Sequence, residues 1–525
     1  MVIAIGKYAR DSNRIDSGIR LMLDPNVRFL NVRFSDMIGG TQHFDVVRDP
    51  AYDRLRKADV TPVKFGFDGS SGDAATKKIN LSDTEVMIDP STAVIDPFRP
   101  DTVIVFGYHI DPRTGDLSEF DPRYIAWKTE QWIKEQKIKD REGNNVPLAD
   151  RVLTGPEREF FFLRPWQKAA LFGHPKWQEM RDAAMFGSEI VYEAGPKNHY
   201  FPLTTDNHLD VRRDAVLAMI AAGADPEVLH AEVAQDQAEI DIHAASILTM
   251  MDRLSMHSDM LRRKAAEKGL YVTFMAKLPP HLFTHGEADN GSGEHIHYSL
   301  WLDGRNRFAD YKGSGLTEMA INFGAGTLNH RELAAFDSST LNSNRRTVLG
   351  FEAPTLLVMD DNEGDRSSLI RLVMAERENP SRRRIERRSA DALTPFPLTA
   401  SATFIAGIDG IRDPPKEFMR AKGDKYELEQ QGVEIQKVPA TLGESLSLLK
   451  GKRGFYERAT LATGEPVFTP GFFDRWFEVK EAEMKAVRER AKKLKDKIPE
   501  VTGKGEKGRE EIALQIAEAE KYFSW

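Results

Sequence analysis

The sequence predicts an α+β protein of two domains, a small strand-rich domain over residues 1–118 and a larger mixed domain over residues 119–525. The chain has 525 residues, more than one small core accommodates. The first hundred or so residues read as short strands separated by turns. From Pro122 onward, segments with helical spacing are interspersed with strands. Together these observations favour a strand-rich domain followed by a larger α+β domain.

Short apolar segments bounded by turn residues fill the first domain. Residues 28–34 alternate between apolar and polar side chains, which is the period-2 pattern of a half-buried strand. Residues 86–88, 93–95 and 102–107 predict further strands, and Pro90, Pro97 and Pro100 separate them.

The second domain combines both kinds of element. Helices are predicted over residues 122–136, 211–222, 246–268 and 316–328, and strands over residues 153–163, 270–275 and 295–301. Residues 139–148 and 166–185 read as long loops. A helical extension over residues 472–525 ends the chain, and Ile512, Ile516, Ala519 and Phe523 give its last helix an apolar stripe. That stripe is expected to pack either on its own subunit or on a neighbouring one.

The composition of the chain excludes several classes of function. The chain has no cysteine, which excludes disulfides, thiolate metal sites and a cysteine nucleophile. A net charge of −8 implies no general affinity for nucleic acid. The N-terminus has no signal-peptide architecture, and no apolar run approaches the ~18 residues that a membrane span needs. A cytoplasmic enzyme without nucleic-acid or membrane partners is expected.

Two glutamates on a predicted strand are the first candidate for chemistry. Glu157 and Glu159 precede the apolar run 160–163, and residues two apart in a strand share a face. Neighbouring buried carboxylates are costly unless a cation pairs with them, and Mg²⁺ or Mn²⁺ prefers such oxygen ligands. The alternative is an edge strand with two solvated glutamates.

Two further segments offer metal ligands. Glu232 and Glu239 flank a predicted turn, so that both could converge on one ion. His295 and His297 share one face of the strand that follows the glycine-rich stretch 290–293, and histidine is a common ligand of transition metals. Taken singly, each segment is more often structural than functional.

A basic region follows. Nine arginines lie within fewer than fifty residues, namely Arg345, Arg346, Arg366, Arg371, Arg382, Arg383, Arg384, Arg387 and Arg388. Such a run is usually a solvated or salt-bridged face, but several of these arginines adjoin apolar residues, and buried arginines need anionic partners. Metal-binding carboxylates together with arginines suit phosphoryl transfer. The chain has neither a Walker-type loop nor a kinase signature.

Taken in order, nine segments resemble the type I glutamine synthetase family. The resemblance covers roughly residues 25–490, and each segment alone is weakly specific. The segments are Phe67–Ser71, Ser91–Phe98, Gly155–Phe161, Tyr200–Pro202, His230–Ala234 with Gln237 and Glu239, Asn290–Trp301, Asn342–Arg346 through Gly350–Pro354, Arg366–Ser367 with Arg371, and Arg383–Arg388.

The resemblance implies an architecture and an assembly. It implies a small N-terminal β-grasp-like domain and a large catalytic domain built on a curved antiparallel sheet with helices. It also implies a homo-oligomer, a dodecamer of two stacked hexameric rings with active sites between neighbouring subunits. Asp68 and Ser71 would then serve the neighbour's site.

The resemblance also implies metal and substrate residues. Glu159, Glu232 and Glu239 would hold one Mg²⁺ or Mn²⁺ ion, and Glu157, His295 and Glu386 a second ion on the ATP side. Arg346 and Arg388 would contact glutamate and the transferred phosphoryl group. The nucleotide would be bound by His297, Ser299, Arg366, Arg371 and Arg384, with Arg366 also counted as catalytic. Glutamate and the amine would meet Ser71, Tyr200, Ala231, Asn290 and Gly291.

The implied reaction is ATP-dependent ligation of glutamate to an amine through γ-glutamyl phosphate. Glu352 matches the flap glutamate that takes a proton from the amine, while Asp68, Tyr200 and Glu232 match the ammonium pocket. Ala231 stands where the family commonly has a second histidine, which suggests room for an organic primary amine, aniline-like amines included, in the manner of the γ-glutamylanilide synthase branch. Ammonia is the alternative acceptor, and a catalytically inactive scaffold or regulator is a third possibility.

Overall fold

Strands and helices are interspersed along the chain. The computed structural model of the protein describes residues 7–48, 64–68, 83–140, 142–186, 206, 208–282, 290–313, 315–348, 353–360, 366–373, 378–423, 425–498 and 505–524. The strands in these ranges are β1 (Phe29–Ser35), β2 (Thr41–Val47), β3 (Lys64–Asp68), β4 (Asp83–Ile88), β5 (Val94–Asp96), β6 (Arg99–Ile110), β7 (Lys137–Lys139), β8 (Asn145–Pro147), β9 (Arg151–Leu163), β10 (Pro226–Ala231), β11 (Gln237–Ile242), β12 (Tyr271–Thr273), β13 (Glu294–Leu302), β14 (Arg305–Asn306), β15 (Met359–Asp360), β16 (Ile370–Val373), β17 (Arg384–Arg387) and β18 (Arg420–Ala421).

The helices in the same ranges group mainly after the first domain. They are α1 (Ile15–Met22), α2 (Pro122–Glu135), α3 (Pro165–Leu171), α4 (Trp177–Phe186), α5 (Leu209–Ala221), α6 (Ile247–Glu267), α7 (Glu318–Asn329), α8 (Ala334–Asp337), α9 (Leu341–Val348), α10 (Phe396–Arg412), α11 (Lys425–Gln430), α12 (Leu442–Glu457), α13 (Pro470–Lys495) and α14 (Gly505–Tyr522). No helix among the described residues combines the length and apolarity that a membrane crossing requires.

The N-terminal sheet packs one apolar face around its own small core. Its described strands lie in the order β2-β1-β6-β4-β3, with β5 beside β6. Strands β1 and β6 run parallel and the other neighbours run antiparallel. Val32, Val86 and Val105 have no exposed surface and lie in the same apolar cluster. The burial of such β-branched side chains favours strands and stabilises the sheet.

The second sheet carries the candidate site. Its described strands lie in the order β10-β11-β9-β13-β17-β16-β15-β18, and β9, β11, β13, β16 and β17 are joined antiparallel. The even-numbered residues Phe160 and Phe162 of β9 pack into the cluster formed with α5 and α6. Because alternate residues of a strand face opposite ways, the odd-numbered Glu157 and Glu159 turn to the other face.

Most predicted elements of the second domain are found within a few residues of their expected ends. The predicted α+β class is confirmed. The two segments read as loops contain regular structure instead, because β7 and β8 form a hairpin and α3 and α4 occupy residues 165–186. Pro165 at the first position of α3 and the bond from Arg164 N to Gln167 Oε1 (2.8 Å) are helix-start signals that the loop interpretation overlooked.

The last helix packs on its own chain. Tyr522 and Phe523 are buried in an apolar cluster with Phe161 and Leu163 of β9. Of the two expectations for the C-terminal apolar stripe, the structure therefore realises packing within one subunit.

Candidate active site

Strands β11 and β13 bring ionisable side chains to the face of β9 that carries Glu157 and Glu159. Glu157 pairs with Asp241 of β11 on one side and with His295 of β13 on the other, and Glu159 pairs with Glu239. Cross-strand partners have their Cβ atoms about 4.5–5.5 Å apart, so this register places the carboxylates side by side. Glu157 and Glu159 therefore share one face of β9, as their spacing of two residues predicts.

The first cluster joins Glu157, His295 and Glu386, each of which offers one atom within 4.8 Å of the others. His295 Nδ1 lies 3.5 Å from Glu157 Oε2 and 3.9 Å from Glu386 Oε1. These three residues are the set that the family resemblance implies for one metal ion. Two carboxylates and one imidazole form a donor set that suits Mg²⁺ or Mn²⁺.

Positive and polar groups surround the first cluster. Glu386 has no exposed surface, and its two oxygens accept hydrogen bonds from Arg388 Nη1 (2.6 Å) and Arg371 Nη1 (2.7 Å). Burial would raise the pKa of Glu386, but the charges of Arg388, His297 and Arg371 together outweigh it and lower that pKa to about 2. Against the same effect of burial, His297 and His295 hold the pKa of Glu157 well below its usual range. Both carboxylates are therefore ionised at neutral pH.

The two histidines of β13 differ in their hydrogen bonds. Arg384 Nε donates to His297 Nδ1 (3.0 Å), so the proton of a neutral His297 lies on Nε2, which is 2.6 Å from Glu157 Oε1. Burial and then the charge of Arg388 lower the pKa of His295 to about 4. A neutral imidazole keeps a lone pair, which is the form that binds a metal ion.

The second cluster lies across β9 from the first and contains His230, Glu232 and Glu239. The turn between β10 and β11 brings Glu232 back towards Glu239, as predicted. His230 Nε2 lies 3.1 Å from Glu239 Oε1, and His230 Nδ1 lies 3.5 Å from Glu232 Oε1. The family resemblance implies Glu159 as the third member and gives His230 no role.

Glu159 lies between the two clusters. Its Oε2 accepts hydrogen bonds from Gln237 Nε2 (2.8 Å) and Gly293 N (2.9 Å), while its Oε1 is 3.9 Å from His295 Nε2. Burial and then the charge of Glu232 raise the pKa of Glu159 to about 8. This carboxyl group therefore holds a proton at neutral pH unless a cation replaces it.

Among the described residues, the charges that act most strongly on Glu239 are those of other carboxylates, whereas Glu386 pairs with arginines. Burial, followed by the charges of Asp241 and Glu157, raises the pKa of Glu239 well above its usual range. Asp241, which sequence reasoning missed, has its pKa raised to about 7 by burial and then by Glu157. Its spacing of two from Glu239 along β11 was the available signal.

Two glycines make room for an arginine beside the carboxylates. A Cβ atom on Gly293 would lie 2.5 Å from Arg346 Nη2, and one on Gly291 would lie 2.6 Å from Ala276 O. Arg346 donates to Ser389 O and to Ala390 O (3.1 Å each). Its Nη2 lies 3.2 Å from His295 Nε2. The glycines therefore let a buried guanidinium reach the first cluster.

The other predicted residues lie at various distances from this face. Ser299 is buried two residues beyond His297 on β13, and Asn290 is half-buried beside Gly291. Arg366 is exposed before β16, and Asp68 is exposed at the end of β3 in the N-terminal sheet. Three predicted residues, Ser71, Tyr200 and Glu352, lie outside the described residues.

Ala231 does not join the second cluster. It pairs with Ala238 of β11, whereas His230 pairs with Glu239. Because side chains alternate along a strand, the methyl group of Ala231 turns to the face opposite His230. Ala238 is part of the apolar cluster beneath the sheet. The short side chain at position 231 therefore opens no space beside His230 and Glu232.

Glu294, where the family commonly has methionine, also lies on the far face. It is fully buried and accepts a short charge-assisted hydrogen bond from Arg158 Nε. Arg158 Nη1 in turn donates to Ser258 Oγ (3.0 Å) on α6. Glu294 therefore belongs to the support beneath β9 and β13 and not to the acidic face.

Both domains of the chain match families of known proteins. Residues 119–497 match the family described as "Glutamine synthetase, catalytic domain", and residues 26–111 match "Glutamine synthetase, beta-Grasp domain". The expected β-grasp-like domain and catalytic domain are confirmed as fold types.

Curated relatives are similar over nearly their whole length. The glutamine synthetase of Aquifex aeolicus (strain VF5) is 35% identical over 479 residues, which cover 89% of this chain and 95% of the relative. The glutamine synthetase of Streptomyces coelicolor is 32% identical over 474 residues, which cover 88% of this chain and 94% of the relative.

Solved structures share the fold. A structure described as "GmaS/ADP complex-Conformation 1" has a TM-score of 0.69 at 20% identity and covers 93% of this chain and 98% of its own. The glutamine synthetase of Plasmodium falciparum has a TM-score of 0.71 at 21% identity and covers 90% of this chain and 96% of its own. The site, the matched domains and the curated relatives together show that the chain belongs to the glutamine synthetase family and is an ATP-dependent glutamate ligase.

Proposed function

We propose that the protein joins the side-chain carboxyl group of glutamate to an amine through γ-glutamyl phosphate, at the expense of ATP. The observation that carries this proposal is the shared face of β9, β11, β13 and β17. On it, two potential cation sites flank Glu159, and arginines approach from β16, β17 and α9. Phosphoryl transfer requires this combination, because catalysis there consists mainly of positioning and neutralising charge.

The two clusters would hold divalent cations. Glu157, His295 and Glu386 fit the cation on the ATP side, because the ionised carboxylates and the neutral imidazole are already arranged as ligands. Glu232 and Glu239, with His230 or Glu159 beside them, fit the other cation. Bound Mg²⁺ or Mn²⁺ would neutralise phosphate charge and polarise the phosphoryl oxygens.

The protein's own side chains would supply the remaining steps. Arg388 and Arg346 would orient glutamate and the transferred phosphoryl group, while Arg371 and Arg384 would contact the nucleotide phosphates. Glu352 would take a proton from the incoming amine, and Asp68 of a neighbouring subunit would attract that amine as a cation. A dodecamer with active sites between subunits is part of this proposal and agrees with the oligomeric character of the family.

Ammonia is the acceptor that the described geometry favours. The carboxylate of Glu232 is retained next to His230, and the family departures on β10 and β13, Ala231 and Glu294, lie on the far face of the sheet. An organic primary amine is the second candidate. It is supported by the sequence 72–76, which departs from the family pattern directly after Ser71.

A phosphate-release assay separates these acceptors. Glutamate, ATP and Mg²⁺ would be combined with ammonium, methylamine, an aliphatic diamine or aniline, each over a concentration series. Ammonia as acceptor predicts the highest kcat/KM with ammonium and no amine that improves on it. A higher kcat/KM with any amine would establish the second candidate, and absence of turnover with all of them would leave the inactive scaffold.

A further inference from the structure

The last helix lies beyond the part of the chain that matches the catalytic family pattern. That match ends at residue 497, and α14 spans Gly505–Tyr522. Its buried face packs on α13 and on the cluster that contains Phe161 and Leu163 of β9. Tyr522 Oη donates to the buried Glu483 Oε1 of α13 (2.7 Å). The helix is therefore fixed by both apolar contacts and a hydrogen bond.

One acidic residue of α14 is directed inward. Glu518 is 1% exposed, whereas Glu520 of the same helix is exposed. Glu518 Oε2 accepts hydrogen bonds from Arg345 Nε (2.7 Å) and from Asn342 Nδ2 (3.0 Å), both on α9. A buried carboxylate is stable only with such partners, so the position of Glu518 and that of α9 depend on each other.

Helix α9 also carries Arg346, the residue after Arg345. The guanidinium of Arg346 is confined by three backbone carbonyl groups, those of Arg388, Ser389 and Ala390, and by Gly293. Because the space is full, a small shift of α9 would break these contacts. The position of Arg346, and with it the proposed contact with glutamate, therefore depends on the position of α9.

Asn342 extends the connection to the glycine-rich segment. Its Oδ1 accepts from Lys277 N and its Nδ2 donates to Lys277 O (3.0 Å each). Ser292 N donates to the carbonyl oxygen of Ala276 (2.9 Å). Because Ala276 precedes Lys277, these hydrogen bonds connect Asn342 with the segment that contains Gly291. The side chain of Glu518 therefore holds α9 directly and, through Asn342, the segment that leads to Gly291.

We propose that Glu518 is a positioning residue for the glutamate-binding part of the active site. Through Asn342 and Arg345 it holds α9 and the segment 276–278, and so places Arg346 and Gly291. This inference rests on the proposed function, in which Arg346 and Gly291 contact glutamate. A residue of this kind acts on the KM for glutamate and leaves the KM for ATP unchanged.

The test compares Glu518→Ala, Glu518→Gln and the matched control Glu520→Ala. Loss of a charge-assisted hydrogen bond should raise the KM for glutamate about tenfold in Glu518→Ala, with the KM for ATP changed less than about twofold. Glu518→Gln should lie between the alanine variant and wild type, because its amide oxygen accepts from Asn342 without the charge that pairs with Arg345. Glu520→Ala removes only the exposed pair with Arg490 and should match wild type.

Hydrogen exchange supplies a readout that needs no turnover. Exchange in residues 341–348 should become faster in Glu518→Gln and stay unchanged in Glu520→Ala. Equal increases of both KM values, or unchanged exchange in α9, would overturn the inference. An inactive wild type would refute the proposed function instead, while the exchange data would still decide whether Glu518 holds α9. If Glu518→Ala does not fold, the glutamine variant carries the comparison.

Discussion

The two acidic clusters on either side of β9 differ in how their charge is balanced. Around Glu157 and Glu386, arginines and histidines hold the pKa values of the carboxyl groups low. Around Glu159 and Glu239 the pKa values are raised, because burial and neighbouring carboxylates outweigh the lowering effect that Arg346 and Arg388 have on Glu159. The difference teaches that the carboxyl groups of the first cluster are ionised without a metal ion, whereas Glu159 and Glu239 hold protons at neutral pH unless a cation takes their place.

The largest effect on activity is expected from Arg388, the arginine that pairs with Glu386 in the first cluster. Arg388→Gln leaves Glu386 fully buried without its 2.6 Å partner, and removes a donor proposed to contact the transferred phosphoryl group. We expect kcat to fall about 10²–10³-fold, as for other losses of a preorganised donor. Steady-state phosphate release measures this.

The control for Arg388→Gln is Arg453→Gln, which disrupts a surface pair with Asp474. It should retain activity within about twofold, because exposed pairs contribute little. Retention of more than half of wild-type kcat by Arg388→Gln would show that charge balance at Glu386 is unimportant.

Substitution of Glu157 and of Glu159 by glutamine should change Tm in opposite directions. In metal-free protein, Glu157→Gln should lower Tm, because it loses the charged partner of His297. Glu159→Gln should preserve or raise Tm, because it removes a carboxyl group crowded by Glu232. In kinetics, Glu157→Gln should chiefly raise the KM for ATP and Glu159→Gln the KM for glutamate, each about tenfold.

The exposed Glu142→Gln serves as the matched control for both glutamate variants and should resemble wild type. Thermal unfolding in EDTA and initial rates at varied substrate provide the measurements. If the two variants share one stability change and one kinetic profile, the division of the site by β9 is wrong.

A smaller effect is expected from pH. The raised pKa values of Glu159 and Glu239 mean that the folded protein binds protons which the unfolded chain has lost, so metal-free stability should fall as pH rises from about 5 to 8. Mn²⁺ bound at the second cluster would replace those protons, so its stabilising effect should grow over the same interval. Glu157 and Glu386 act oppositely, since their contribution is present above pH ~4.5 and is lost as pH falls towards ~2.

Thermal unfolding at several pH values, with EDTA or with Mn²⁺, tests this dependence. Glu159→Gln should flatten the metal-free profile between pH ~5 and ~8, because it removes one titrating group. A Mn²⁺ effect that is constant across this interval would contradict the assignment of raised pKa values to the second cluster.

The smallest effect is expected at Ala231. Ala231→His restores the residue common in the family, but its side chain lies on the face opposite Glu232. The ratio of kcat/KM for ammonium to that for methylamine should change less than about twofold. A tenfold shift towards ammonium would restore the sequence-based view that position 231 limits the acceptor.

Much of the fold followed from local patterns. The period-2 alternation at residues 28–34 and the apolar run 160–163 predicted β1 and β9, because strand periodicity is a local property. The same patterns missed α3 and α4, whose start depends on Pro165 and a capping interaction rather than on strong apolar periodicity. The resemblance of ordered motifs supplied the domain types, which are confirmed.

The sequence by itself determined which ionisable side chains are present and which of them share a face. Glu157 and Glu159 share a face because they are two residues apart in a strand. Only the tertiary structure decided which groups meet them. The register of β10, β11 and β13 brings His230 and Asp241 to the carboxylates and turns Ala231 away, and the pairing of β16 with β17 places Arg371 against Glu386. Such pairings join residues of different strands, and the pKa values depend on burial and charges that only the folded sheet creates.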